Sequence, residues 1–166
     1  MKNDPVEKAY QLGNEYEKVY KGCSQCVIAA LQDAFNIPNA DVFKAATGLA
    51  AGGGGSIDGS CGAYSGAIMV LSMLRGRTRD DFADAAGAMF SNFSLVMKLR
   101  ERFIREYGSV VCRNVQTKIF GRPYYLVDMD EFRKFEEAGA HEVHCLEVVG
   151  KAARWAAELI IEENLL

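Results

Sequence analysis

The stretch Cys61-Gly62-Ala63-Tyr64-Ser65-Gly66-Ala67-Ile68-Met69-Val70-Leu71 carries the fold prediction. It opens with small residues and continues as an apolar run, which is typical of a helix buried along most of its length. Four glycines, Gly52 to Gly55, lead into it. Ordering consecutive glycines costs conformational entropy, so folded proteins keep them as slack linkers or where backbone segments approach closely. The stretch therefore predicts a helix that begins at or beside Cys61.

Three helices are predicted before this stretch. Asp4 is a favoured helix cap and Pro5 suits the first helical position, while Gly22 interrupts the pattern and Asn39 can cap a later helix. The predicted ranges are Pro5 to Tyr20, Cys23 to Phe35, and Ala40 to about Ala51.

Further helices are predicted after it. Thr78 with Asp81 resembles a capping box, and apolar residues then recur at helical spacing. The region Ser109 to Leu126 mixes β-branched residues with Gly121 and Pro123, which predicts irregular or only briefly helical structure. The predicted helices run from Thr78 to the residue before Gly108, from Asp128 or Asp130 to Ala138, and from about His141 to Glu163.

Length and pattern together predict the fold class. The 166 residues, 49% of them hydrophobic and 25% charged, are enough for one proper core. No alternation of apolar and polar residues persists, and no repeat at a solenoid period occurs. We therefore expect an all-α, single-domain, multi-helix bundle that spans residues 1–166.

Charge and hydropathy exclude several function classes. The formal net charge is -3 and no basic cluster occurs, which argues against a nucleic-acid surface. The longest nearly apolar stretch, Ala63 to Leu74, is too short for a membrane span, and Met1 to Lys8 lacks the apolar core of a signal peptide. We expect a cytoplasmic protein with neither nucleic-acid nor membrane partners.

A C-terminal aliphatic stripe either closes the core or forms a homodimer interface, and it comprises Trp155, Leu159, Ile160, Ile161, Leu165 and Leu166.

The five cysteines point to sulfur chemistry, because cysteines in a reducing compartment seldom serve as structural disulfides. A single buried cysteine is commonly just a small hydrophobe, so context decides. Cys23 and Cys61 stand at predicted helix starts, where free amides and the helix dipole favour a thiolate. Gly62 leaves the amides beside Cys61 open. Cys61 is therefore the candidate nucleophile, with the lowest expected thiol pKa.

Cys23 and Cys26 form a Cys-x-x-Cys pair, which is a weak signal alone. A thioredoxin-like dithiol needs a βαβ setting that this sequence lacks, and a zinc site needs two more ligands. His141 and His144 lie three residues apart and are candidate ligands, although solvation near a helix start is the commoner explanation for such histidines.

Four stretches of the chain carry a resemblance to a known family: Gly22-Cys23-Ser24-Gln25, Cys61-Gly62-Ala63-Tyr64-Ser65-Gly66, Cys112-Arg113 and Cys145. Together they resemble the C_GCAxxG_C_C family of redox-active proteins. The family label writes Gly-Cys-Ala where this chain has Cys-Gly-Ala. The resemblance places the four family cysteines on Cys23, Cys61, Cys112 and Cys145 and leaves Cys26 as an extra residue that faces packing. We also expect Gly62 and Gly66 to be cofactor-binding positions. A related helical region in split-Soret cytochromes accompanies an iron–sulfur cluster and haems, but this chain has no Cys-x-x-Cys-His for haem attachment.

The four cysteines lie far apart in sequence, so only tertiary packing can bring them into one site. Three hypotheses follow. The first is a thiol–disulfide redox protein with oxidoreductase-like activity and an unidentified redox partner, in which Cys61 attacks and Cys23, Cys112 or Cys145 resolves. The second is an iron–sulfur or zinc protein with the same four cysteines as ligands. The third is a non-catalytic helical interaction domain.

Overall fold

Helices joined by turns make up the computed structural model, which describes residues 4–166. Within that range the α-helices are α1 (Pro5–Tyr20), α2 (Cys23–Phe35), α3 (Ala40–Ala45), α4 (Gly62–Arg75), α5 (Ala88–Tyr107), α6 (Cys112–Phe120), α7 (Met129–Glu137) and α8 (Cys145–Glu162). A 3-10 helix spans Thr47–Gly52, and a π-helical turn, Ala140–His144, leads into α8. The predicted all-α class is confirmed.

Glycines allow the central helices to approach one another closely. Helix α1 packs along α8, and a Cβ atom at Gly13 would lie only 3.2 Å from the Cα atom of Gly150. Helix α4 packs against α2, and a Cβ atom at Gly66 would collide with the carbonyl oxygen of Ser24. A side chain at either position would force the helices apart, which fixes the separation of the layers that carry the cysteines.

The main core lies between α1, α2, α4, α5 and α8. Its closest aromatic pairs join Phe103 of α5 to Tyr64 and Trp155, with ring centroids 5.1 Å and 5.2 Å apart. Leu159 and Ile160 are buried in this core, so much of the C-terminal apolar stripe closes the core of its own chain. The homodimer interface stays a prediction.

The loop before α5 differs from the sequence-based expectation. The expected bond from the Asp81 amide to the Thr78 hydroxyl is present at 3.2 Å, but the helix begins only at Ala88. The Asp84 carboxylate accepts a bond from the Met89 amide, and both Asp84 and Gly87 have left-handed backbone conformations. These turns replace the helical hydrogen bonds between Thr78 and Gly87, so α5 begins only after them.

One further boundary is corrected. Helix α3 ends at Ala45 instead of about Ala51, because the chain tightens into the 3-10 helix, where Ala51 adopts a positive φ of 52°. The region expected to be irregular or only briefly helical contains the short helix α6, which ends at Gly121 in a left-handed conformation. Across residues 4–166, no helix combines the length and the apolar composition needed to cross a membrane.

Candidate functional site

Four cysteines from four separate segments line one cavity of about 260 Å³. Cys23 is the first residue of α2, Cys61 caps the N-terminus of α4, and Cys112 is the first residue of α6. Cys145 begins α8 after the π-helical turn. The fold therefore gathers the four cysteines that the sequence singled out, and it aims the N-terminal ends of three helices toward them.

A short backbone pairing brings together the two segments that carry Cys61 and Cys112. Ser60 and Val111 form an isolated antiparallel bridge. On either side of it, the Cys61 amide donates to the carbonyl of Val110 at 2.7 Å, and the Cys112 amide donates to the carbonyl of Gly59 at 2.9 Å. The two cysteines thus belong to adjacent backbone segments although they are far apart in sequence.

Glycines make room for the sulfurs. A Cβ atom at Gly62 would collide with the Cys23 sulfur, and a Cβ atom at Gly52 would lie 2.9 Å from Cβ of Cys112. Gly52 also has a positive φ of 74°, which L side chains rarely adopt. The structure thus gives Gly62 and Gly66 roles in packing α4 against α2, while the cofactor-binding role expected for them stays a prediction.

Burial raises the pKa of every thiol in the cavity. The pKa values of Cys61 and Cys112 rise to about 12, chiefly because both thiols are buried. Repulsion from Cys112 raises the pKa of Cys61 further, and repulsion from Cys23 raises that of Cys112. Burial followed by repulsion from Glu17 raises the pKa values of Cys23 and Cys145. The amides of Ala63 and Tyr64 oppose the rise at Cys61 without making a capping hydrogen bond of normal geometry.

At Cys61, desolvation of the sulfur outweighs the amides and the helix dipole, so its pKa is raised instead of depressed. Cys61 shares the lowest thiol pKa, the rank expected for it, with Cys112, whose pKa also rises to about 12. In the reduced protein without a bound group, Cys61 is a protonated thiol at neutral pH.

A chain of ionisable side chains runs from the cavity to the surface, and it was not predicted from the sequence. Glu17 and His141 line the cavity, and Glu17 is only 2% exposed. The Nε2 atom of His141 lies 3.5 Å from Glu17, its Nδ1 atom lies 2.8 Å from Glu136, and Glu136 pairs with Lys21 at 2.6 Å. The second carboxylate oxygen of Glu17 has no hydrogen-bond partner.

These neighbours raise the pKa of His141. Burial alone would lower its pKa, but hydrogen bonds and attraction from Glu17 and Glu136 raise it overall. His141 thus contacts two carboxylates in the cavity wall, which differs from the solvated side chain expected for it. Glu17 was detectable in the sequence, because it follows Ala9 and Gly13 at four-residue spacing on the buried face of α1.

Gln116 is a second polar residue of the wall that the sequence did not reveal. It is 3% exposed, and its side-chain amide donates to the Cys112 sulfur at 3.7 Å. Its side-chain oxygen accepts a hydrogen bond from the backbone amide of Tyr124 at 2.7 Å. Gln116 therefore connects one cysteine to the loop that follows α6.

Cys26 lies outside the four-cysteine cavity. It is 3% exposed, packs in the main core, and donates from its sulfur to the Lys21 carbonyl at 3.2 Å. It lines a separate surface groove with Tyr16, Tyr20 and Phe43. The two cysteines of the Cys-x-x-Cys pair thus face different parts of the fold.

The residues 4–166 contain no group of three or more Cys, His, Asp or Glu side chains arranged to hold a metal ion. His144, the other histidine considered as a ligand, stacks edge-on against Phe120 with ring centroids 4.8 Å apart. All five cysteines are free thiols in the structure.

Comparison with known proteins gives one match. The family described as "Putative redox-active protein (C_GCAxxG_C_C)" matches residues 21–159, a range that includes all four cysteines of the cavity. No curated protein and no solved structure is significantly similar to the chain. Because the match covers most of the chain, this protein belongs to the C_GCAxxG_C_C family of redox-active proteins.

Proposed function

We propose that this protein is an electron carrier or redox sensor whose Cys23, Cys61, Cys112 and Cys145 together bind an iron–sulfur cluster. The observation that carries the proposal is that all four sulfur-bearing side chains line the same cavity of about 260 Å³. No three such side chains in residues 4–166 are arranged around a single ion, but four cysteines are the usual ligand set of iron–sulfur clusters, and the cavity has room for a group larger than one ion. A bound cluster would supply reversible one-electron transfer.

The thiol energetics support this assignment. Burial holds the cavity thiols protonated at neutral pH, which makes them slow nucleophiles. A coordinated metal deprotonates a thiol outright, because its positive charge replaces the lost solvation. The same burial that hinders thiol exchange therefore suits cysteines that act as ligands.

The polar surroundings also support an anionic group. Cys23, Cys61 and Cys112 sit at helix N-terminal ends, where backbone amides present partial positive charge. Glycines at 52 and 62 keep the backbone from crowding the sulfurs. These features favour thiolates in the cavity once a group that pairs with them is bound.

The test is anaerobic purification followed by visible absorption, electron paramagnetic resonance, and iron and acid-labile sulfide analysis. We expect a coloured protein with iron and sulfide in fixed proportion to the chain. Changing any one of the four cavity cysteines to Ser should lower the iron content severalfold. Cys26→Ser is the matched control and should keep the iron, because Cys26 does not line the cavity.

The opposing results are clear. A protein that carries no iron and sulfide, even after anaerobic reconstitution, contradicts the cluster. Stoichiometric zinc without visible absorption identifies a zinc site instead. Equal iron loss in Cys26→Ser and in the cavity variants contradicts the ligand assignment.

A second function, thiol–disulfide exchange, is favoured by one observation. The bridge between Ser60 and Val111 places Cys61 and Cys112 on adjacent segments, one on either side of the bridge. Oxidation of this pair would release two electrons and two protons to an acceptor disulfide. A reversible two-electron couple in metal-free protein, lost in Cys61→Ser and Cys112→Ser but not in Cys26→Ser, would establish this function.

A further inference from the structure

Cys112 differs from the other cavity cysteines in having a buried side-chain hydrogen-bond donor. The Gln116 amide, one helical turn along α6, lies 3.7 Å from the Cys112 sulfur. Cys61 and Cys23 instead have backbone amides near their sulfurs, from Ala63 and Ala51 among others. The donor to Cys112 is therefore the one that a substitution can remove without altering the backbone.

Gln116 is held in place from its other end. Its side-chain oxygen accepts from the Tyr124 amide at 2.7 Å, so the side-chain amide group cannot turn over without losing that bond. This orientation requires the nitrogen, and not the oxygen, to face Cys112. The side chain is 3% exposed, so water does not compete for the donor.

The geometry points to Gln116 as a positioning residue that orients Cys112 toward the cavity and raises the reduction potential of the site by donating a hydrogen bond to its sulfur. This inference rests on the proposed function for its redox readout. When the site takes up one electron from dithionite, negative charge increases on the cysteine sulfurs. A hydrogen bond to sulfur becomes stronger as that charge grows, so it favours the reduced form.

The first test compares reduction potentials of the cluster-loaded wild type and Gln116→Met by redox titration. Met has a similar length but cannot donate, so we expect the ratio of reduced to oxidised protein at fixed potential to fall about tenfold. For a one-electron couple that change is 59 mV toward more negative potential. Gln32→Met is the matched control, since Gln32 is a half-buried glutamine that donates to the Asn39 carbonyl far from the cavity.

The second test needs no cluster. In reduced, metal-free protein the Gln116 donor also favours the Cys112 thiolate, so Gln116→Met should alkylate about tenfold more slowly at Cys112 than wild type does, relative to Cys61. Mass mapping of iodoacetamide adducts measures both rates. Gln116→Asn, which shortens the side chain and withdraws the donor, provides the same comparison if Gln116→Met does not fold.

The outcomes separate the inference from the proposed function. A cluster whose potential is the same in wild type and Gln116→Met overturns the inference while the function stands. Slower alkylation of Cys112 in a protein that binds no cluster supports the role of Gln116 and contradicts the function. Equal shifts in Gln116→Met and Gln32→Met would show a general loss of stability and overturn the inference.

Discussion

The Cys23 sulfur occupies the space that a Cβ atom at Gly62 would need. Gly62 is the first residue of α4 and directly follows Cys61, so one glycine lets the cysteines of two helix starts approach the same cavity. The nearby Gly66 performs a related task for the backbone, since its missing side chain admits the Ser24 carbonyl. The Cys-Gly-Ala-x-x-Gly motif thus has a geometric explanation.

Gly62→Ala is predicted to damage the site more than the fold. The new methyl group meets the Cys23 sulfur, which can rotate away, and lies 3.0 Å from Cα of Ala50. We expect about 1–3 kcal/mol lower stability in urea unfolding, with loss of most of the bound metal. Gly48→Ala is the control, because nothing lies within 4 Å of that position and both properties should be unchanged. Full metal content in Gly62→Ala would contradict this explanation.

Cys26→Ala is predicted to cost only packing energy. Cys26 is buried in the core and its sulfur donates to a backbone carbonyl outside the cavity. Removing the sulfur should lower the free energy of unfolding by about 1–2 kcal/mol, the range expected for a small cavity. Cofactor content and reduction potential should remain those of the wild type. A shift in the reduction potential of Cys26→Ala would show that Cys26 belongs to the redox site.

The charge of His141 is predicted to make stability depend on pH near neutrality. Glu17 and Glu136 raise its pKa in the folded state above the ordinary value of 6.5. The folded protein therefore binds the proton more tightly, and this contribution is complete below pH 6.5 and is lost as the pH rises through the folded pKa. His141→Gln should show a weaker fall in stability from pH 6 to 8 in urea titrations. Equal pH slopes in wild type and variant would be inconsistent with the ion pairs.

The cavity thiols are predicted to destabilise the reduced, metal-free protein at alkaline pH. In the unfolded chain they ionise near pH 9, whereas burial raises the pKa values of Cys61 and Cys112 to about 12 in the fold. Between these limits the unfolded state binds fewer protons, so stability falls as pH rises. Each thiol contributes up to about 1.4 kcal/mol per pH unit. Cys112→Ser should reduce the slope by that amount, and an unchanged slope would contradict the buried protonated thiol.

The sequence by itself determined the helical class and most helix positions. The reason is that helix boundaries depend on local chemistry: the Asp4 cap and Pro5 predicted the start of α1, and Asp128, one of the two expected caps, caps α7. The predicted start of the helix before Gly108 was wrong because side chains form hydrogen bonds with the backbone there, as Asp84 does with the Met89 amide. The motif also identified Cys23, Cys61, Cys112 and Cys145 as the candidate site residues.

Only the tertiary structure decided how those cysteines are placed and how acidic they are. Their convergence depends on contacts between distant segments, such as the bridge between Ser60 and Val111, and no local pattern encodes such a contact. The thiol pKa values depend on desolvation by neighbours in space, which raises the pKa of Cys61 although its helix-start position favours a thiolate. Gln116 belongs to the site for the same reason, because packing places its side-chain amide 3.7 Å from the Cys112 sulfur.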